Sequence, residues 1–224
     1  MNAEELVSWY KNLNDSDQHF AKSIERSERV TLGFFVNPAD KKLNSSDLEQ
    51  LDFSQYSIVQ RFDDRTKPLP LRQIFSVGLS IPELMNAANA AGYVSFVPEM
   101  DGVVRWVPTL MQHGEYMFPP LSLQVAREAV QSPLAVNIYE FGVEKMALGE
   151  IPIPVKENGD ILINYYGPAY TFTHYSASEV LDGKIGKKEL ENKIILVGGT
   201  AAGTYDFKTS PYGPLYPGVE VHAN

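Results

Sequence analysis

Cysteine is absent from this chain. That omission excludes disulfides, zinc ribbons and thiol nucleophiles together, but it leaves the compartment open, since cysteine-free domains occur on both sides of a membrane. Long hydrophobic runs are missing too: no apolar stretch approaches the ~18–20 residues needed to cross a bilayer. The start, Met1-Asn2-Ala3-Glu4-Glu5, has neither the basic region nor the apolar core of a signal peptide. Positive charge is scarce. Lys and Arg number 19 against 28 Asp and Glu, a formal net charge of −9. The balance argues against nucleic acid as a partner and against adhesion to anionic lipid through a basic patch. Its first reading is a charge that keeps the domain soluble.

Catalytic and cofactor signatures are equally thin. His19, His113, His174 and His222 are dispersed, and no two share the i, i+4 spacing of a helical metal pair, so no metal site is expected. No G-x-S-x-G occurs; Ser23 to Arg26 comes nearest to S-x-x-K, with arginine in place of lysine. Asp63 and Asp64 are adjacent and therefore point to different faces, which suits a polar loop better than acid–base work. Gly198-Gly199-Thr200-Ala201-Ala202-Gly203-Thr204 invites a phosphate-loop reading. Thr204 directly follows Gly203, so the lysine that pattern requires is absent. The loop reads instead as a tight structural turn, or as one wall of a site beyond the end of a strand. Nothing here specifies an enzyme, and no cofactor is implied.

What remains is ordinary globular material. The chain has 224 residues, 44% hydrophobic and 21% charged, enough for a substantial core in one large domain or two small ones. Residues 3–28 read as helix with a break near Asn12-Leu13-Asn14; Asp15 and Gln18 have helix-start spacing. Strands are expected at 30–36, 57–62, 92–97 and 103–108, with Asp101-Gly102 as the turn between the last two. Pro82 opens a helix that runs through Ala90, with Gly92 just past its end. His113-Gly114 marks another turn, and Pro119-Pro120 opens a helix over 120–131. Short strands near 135–140, 144–148 and 151–155 precede Asn158-Gly159, a hairpin turn into a strand at 161–166. Ser176 and Glu179 start a short helix, and Lys193–Gly198, apolar nearly throughout, predicts a central strand covered on both faces. Interleaved helices and hairpins give an α/β class with α+β character: a mixed sheet carrying antiparallel hairpins, with helices packed on it.

Four phrases, in order, carry a resemblance. They are Asp101-Gly102-Val103-Val104-Arg105, Asn164-Tyr165-Tyr166-Gly167-Pro168, Val197-Gly198-Gly199-Thr200 and Pro217-Gly218-Val219-Glu220-Val221-His222-Ala223-Asn224. The ordered set resembles the type-two CHASE domain, an extracytoplasmic sensory module of bacterial transmembrane receptors. The resemblance covers the last ~130 residues well and the first ~90 only loosely. It implies a single sensory domain over 1–224 that lacks the receptor's membrane helices and output domain. It also implies no catalysis of the domain's own, a periplasmic location at the inner membrane, and a cyclase, diguanylate cyclase or kinase as output. Partners then follow: an unidentified small-molecule ligand, the receptor's own membrane helices and output domain, and a second copy in a homodimer. The terminal Pro217–Asn224 segment becomes the lever, fed by the stretch from Thr200 to Pro217.

Candidate ligand contacts are Asp101, Arg105, Tyr165, Gly199, Thr200 and Asp206. Arg105 offers a planar fork suited to carboxylate or phosphate, and with Asp101 would hold an anionic or zwitterionic ligand. The alternative keeps Asp101 in its turn and Arg105 in a local pair. Tyr165, Tyr166, Tyr170, Tyr175, Tyr205, Tyr212 and Tyr216 crowd the C-terminal third, as a pocket lining, a partner surface or simple packing under loops.

Overall fold

The computed structural model describes residues 5–6, 15–36, 43–201 and 206–224. The architecture is mixed α/β, with several small sheets and helices beside them. The chain divides into two compact units, each assembled from three stretches of sequence: residues 1–55, 73–95 and 112–124 in the first, 56–72, 96–111 and 125–224 in the second.

In the first unit, Asp15 caps the helix Ser16–Ser27 by accepting from the Gln18 amide at 3.0 Å. The helix expected before Asn12 falls mostly outside the described residues. Thr31–Val36 is the middle strand of three, antiparallel to Val77–Gly78 and parallel to Ala90–Tyr93. The second pairing corrects the expected helix through Ala90. The helix Pro82–Ala87 stops early, the Asn89 amide donates to the Val30 carbonyl at 3.0 Å, and Ala90-Ala91-Gly92-Tyr93 continue as a fully buried strand. Alanine's helix propensity loses there to a ladder and a core. Phe34, wholly buried, meets Tyr93 and Phe118 edge-on at 6.3 and 6.4 Å. Gly92 permits this packing, since a Cβ there would lie 2.6 Å from the Leu121 backbone. Buried Gln124 ties the layers together, its amide nitrogen donating to the Ser54 and Ala91 carbonyls at 2.7 and 2.9 Å.

The second unit holds a four-stranded mixed sheet in the order Ile151–Ile153, Gly142–Leu148, Leu134–Tyr139, Ile58–Arg61. Its first three strands, expected as strands from sequence, pair as antiparallel hairpins; Ile58–Arg61 adds parallel to Leu134–Tyr139. Leu134, Val136 and Ile138 are buried in strict alternation, one sheet face on the core. The buried Tyr56 hydroxyl donates to the Thr109 carbonyl at 2.7 Å, and burial raises its pKa far above the ordinary tyrosine value.

The turn at Asn158-Gly159 forms, with Gly159 at φ +82°. It delivers a shorter strand than expected, Asp160–Leu162, and delivers it to Trp106–Pro108 rather than to the strand just before. Asp160 is nearly buried there, accepting from Arg72 at 2.9 and 3.2 Å and from the Asn158 side chain at 2.9 Å. The Ser176–Glu179 box is present and starts the helix Ala177–Leu181. The expected central strand at Lys193–Gly198 is not: the stretch pairs with no strand among the described residues, and Ile194, Ile195 and Val197 stand 60, 56 and 92% exposed.

Candidate functional site

One buried polar group of the second unit is one that composition gives no reason to single out. After the hairpin Phe207–Ser210 and Gly213–Pro217, the chain enters the short helix Gly218–Ala223. Pro217 sets the backbone angle at its start, and the Gly218 amide donates to the Asp206 carbonyl at 2.7 Å. Val221 of this helix packs with Val104 and Tyr216, against Phe96, Ile163 and Tyr165. Beside that apolar cluster lies Glu220, only 2% exposed.

A carboxylate buried to that degree needs donors. Glu220 has three: the Tyr170 amide at 2.8 Å on Oε2, and the Phe172 amide at 3.4 Å and His174 Nε2 at 2.9 Å on Oε1. An ionised carboxylate only accepts, so it sets Nε2 as a protonated ring nitrogen of His174. Tyr170 is held at φ +67°, a left-handed conformation uncommon for a bulky side chain, where its amide serves the clamp. Asn224 fastens the same loop one turn on. Its Oδ1 accepts from the Tyr166 amide at 2.8 Å, and its Nδ2 donates to the Tyr216 hydroxyl at 3.0 Å. The terminal segment thus grips residues 166–174 through charge-assisted and neutral bonds, the stronger of them shielded from water.

The six residues named from sequence fall around this grip unequally. Tyr165 belongs to it: its hydroxyl donates to the Val104 carbonyl at 2.7 Å, its ring meets Tyr216 edge-on at 5.2 Å, and burial pushes its pKa up to about 12. Asp206 belongs as well. Its carboxylate occupies the space a Cβ on Gly218 would need, and one of its oxygens lies 3.0 Å from Lys208 Nζ. Gly199 and Thr200 are half-buried just after Gly198, and a Cβ on Gly198 would meet Val219 of the terminal helix at 2.7 Å. Of the loop that follows, Ala202 to Tyr205 lie outside the described residues.

Asp101 and Arg105 stand together just before the strand Trp106–Pro108. Arg105 Nη1 donates to Glu99 at 2.6 Å and to Asp101 at 2.9 Å, while Asp101 also accepts from the Val103 amide at 3.0 Å. That amide, followed by the Arg105 guanidinium, holds the Asp101 carboxyl below the usual carboxylate range. The cluster is solvent-exposed, so the pairs add little to stability.

Sequence reading missed Glu220, His174 and Asn224. The available signal was a charged residue between two valines, Val219-Glu220-Val221, in a segment otherwise suited to burial. An open depression of about 350 Å³ in the first unit is lined by Ser45, Leu48, Glu49, Asp52 and Tyr116, none of them a residue singled out above. Among the described residues, no cluster of His, Asp and Glu is arranged to hold a metal ion, and no helix is long and apolar enough to cross a membrane.

This mixed α/β body carries a buried carboxylate that holds its own backbone through the Tyr170 and Phe172 amides. The chain belongs to the CHASE2 domain family, whose model matches residues 2–224. CHASE2 domains are extracytoplasmic sensory domains without catalytic activity of their own. No curated protein and no solved structure matches the chain.

Proposed function

We propose that this domain senses a small molecule outside the cytoplasm and passes a conformational signal, through its C-terminal segment and the membrane helices of its receptor, to a cytoplasmic nucleotide cyclase. In this reading residues 1–224 are one sensory domain, the receptor works as a homodimer, and the membrane helices and output lie elsewhere in the same polypeptide. The observation that carries the proposal is the Glu220 clamp. Sensing needs two conformations with unequal ligand affinity. A buried carboxylate holding two loop amides and a histidine supplies such a choice: gripped, with both oxygens engaged, or released, with the loop free to move.

The proposed ligand contacts are Tyr165 and Asp206, which pack against the terminal segment, Gly199 and Thr200, which follow Gly198, and the exposed pair Asp101 and Arg105. Engagement there would act on the segment that joins the sensor to its lever. A thermal-shift screen of the chain tests the binding step. A true ligand at ~100 times its dissociation constant raises unfolding free energy by about 2.7 kcal/mol. In the intact receptor, Arg105→Ala and Thr200→Ala should change ligand-dependent output without unfolding the sensor; unchanged output across a broad ligand panel would remove these residues from the site.

A second reading has its own support. Tyr166 and Tyr170 are 70 and 56% exposed, as a constitutive interaction module without a ligand would require of a tyrosine surface. Concentration-dependent association with no stabilisation by any compound would favour it.

A further inference from the structure

Among the described residues, four other than glycine have a left-handed backbone: Glu28, Gln131, Tyr170 and Asn192, at φ 51, 54, 67 and 59°. Three of them follow helices. Glu28 is the C-cap of Ser16–Ser27, Gln131 comes directly after Leu121–Val130, and Asn192 lies two residues beyond Lys187–Leu190. Positive φ is routine at helix ends, and asparagine tolerates it elsewhere too. Tyr170 has no such setting. It is the third residue of a turn closed by the Thr171 amide and hydroxyl, which donate to the Pro168 carbonyl at 3.2 and 2.6 Å. Positive φ at the third residue, after an Ala169 that lacks it, is the type II pattern, which calls for glycine or asparagine. The chain places a bulky aromatic residue there instead.

What holds this conformation lies outside the turn. The Tyr170 amide donates to Glu220 Oε2 at 2.8 Å, the Phe172 amide and His174 Nε2 reach Glu220 Oε1, and the Tyr166 amide donates to Asn224 Oδ1 at 2.8 Å. The Tyr170 ring adds a tilted contact with the His174 ring, 5.1 Å between centroids. Residues 166–174 are thus a strap that the terminal segment fastens by its amides, while the backbone at residue 170 resists.

We propose that this strap is sprung: the left-handed Tyr170 brings the gripped and released states of the terminal segment close in free energy, so that a small change at Glu220 opens it. A residue with a Cβ disfavours the left-handed region roughly five- to thirtyfold, and on release Tyr170 returns to an ordinary φ. A ligand shifts a balance only by its differential affinity for the two states, so a lowered gap makes a weak ligand effective. The link to signalling rests on the sensor reading above; the spring itself does not.

Hydrogen exchange of the purified chain beside Tyr170→Gly tests the spring. Glycine escapes the steric cost, though its greater freedom on release offsets part of the gain. Exchange at the Tyr166 and Phe172 amides should therefore slow roughly threefold or more. Neither amide adjoins residue 170, so their intrinsic rates are unaltered. Tyr170→Ala removes the ring but keeps the Cβ and should not slow exchange, whereas Tyr170→Asn should fall between alanine and glycine. Unslowed exchange in Tyr170→Gly overturns the proposal, and so does equal slowing by alanine, which would make the ring the source. In the intact receptor, Tyr170→Gly and Glu220→Ala should displace basal output to opposite sides of wild type. Slowed exchange with output unmoved, or moved to one side by both, would sink the sensor reading of the clamp and leave the spring standing.

Discussion

Two strand-like tetrapeptides of this chain met opposite fates. Ala90-Ala91-Gly92-Tyr93 has weak strand propensity and follows a helix after only two residues, yet all four residues are buried and paired. Ile194-Ile195-Leu196-Val197 has the propensity a strand wants and has no strand partner among the described residues, with all but Leu196 exposed. The difference teaches that a strand is made by its neighbours. Thr31–Phe34 supplies a ladder on one side of the first, and the Leu121 backbone closes over Gly92; the second has no such companions among the described residues. Propensity measures how well a side chain fits a pleated, half-covered surface, and it is silent where that surface is missing.

The comparison breaks most sharply at Gly92. Gly92→Val drives a side chain into main chain that cannot yield, and should cost about 3 kcal/mol or more; urea unfolding of the purified chain measures it. A modest loss would show that small residues are not what admits the weak strand.

Next comes Glu220, whose burial rests on polar partners rather than on strand neighbours. Glu220→Ala strands two amides and an imidazole, and should cost about 2–3 kcal/mol. Hydrogen exchange should quicken at the Tyr170 and Phe172 amides before it does in the Leu134–Tyr139 strand. Uniform quickening would mean that the clamp is no separate unit.

Tyr56→Phe tests an ordinary buried hydrogen bond of the sheet region. It leaves the Thr109 carbonyl without this donor, for about 1 kcal/mol in thermal or urea unfolding.

The smallest effect should be Ile195→Thr, measured where the chain is monomeric. With the side chain already in water, unfolding free energy should move by less than about 0.5 kcal/mol, while Ile138→Thr, wholly buried, should lose about 2 kcal/mol. Comparable losses at the two isoleucines would erase the contrast between paired and unpaired strands.

Much of the local structure was legible beforehand because its causes are local. Asp15 and Ser176 cap helices through side chains three residues from the amides they accept, Gly102, Gly114 and Gly159 adopt the positive φ their turns need, and alternation in Leu134–Tyr139 places one face on a core. The family, too, was readable from ordered phrases and the CHASE2 match bears it out. The end of the helix at Ala87 was not, because the competing bond, Asn89 to Val30, joins residues about sixty apart in sequence from no single motif. Of the candidate site, Tyr165 and Asp206 were named and lie against the terminal segment, but the clamp was missed: Glu220 looks like any surface carboxylate until Tyr170, Phe172 and His174 are folded onto it.

Sequence alone determined what short-range stereochemistry and patterning can encode: caps, turns, a cysteine-free acidic α/β composition and its family. Tertiary structure alone decided which apolar strand is covered and which carboxylate is buried. Burial and long-range pairing are properties of the pair, and neither partner's residue types disclose the other's position.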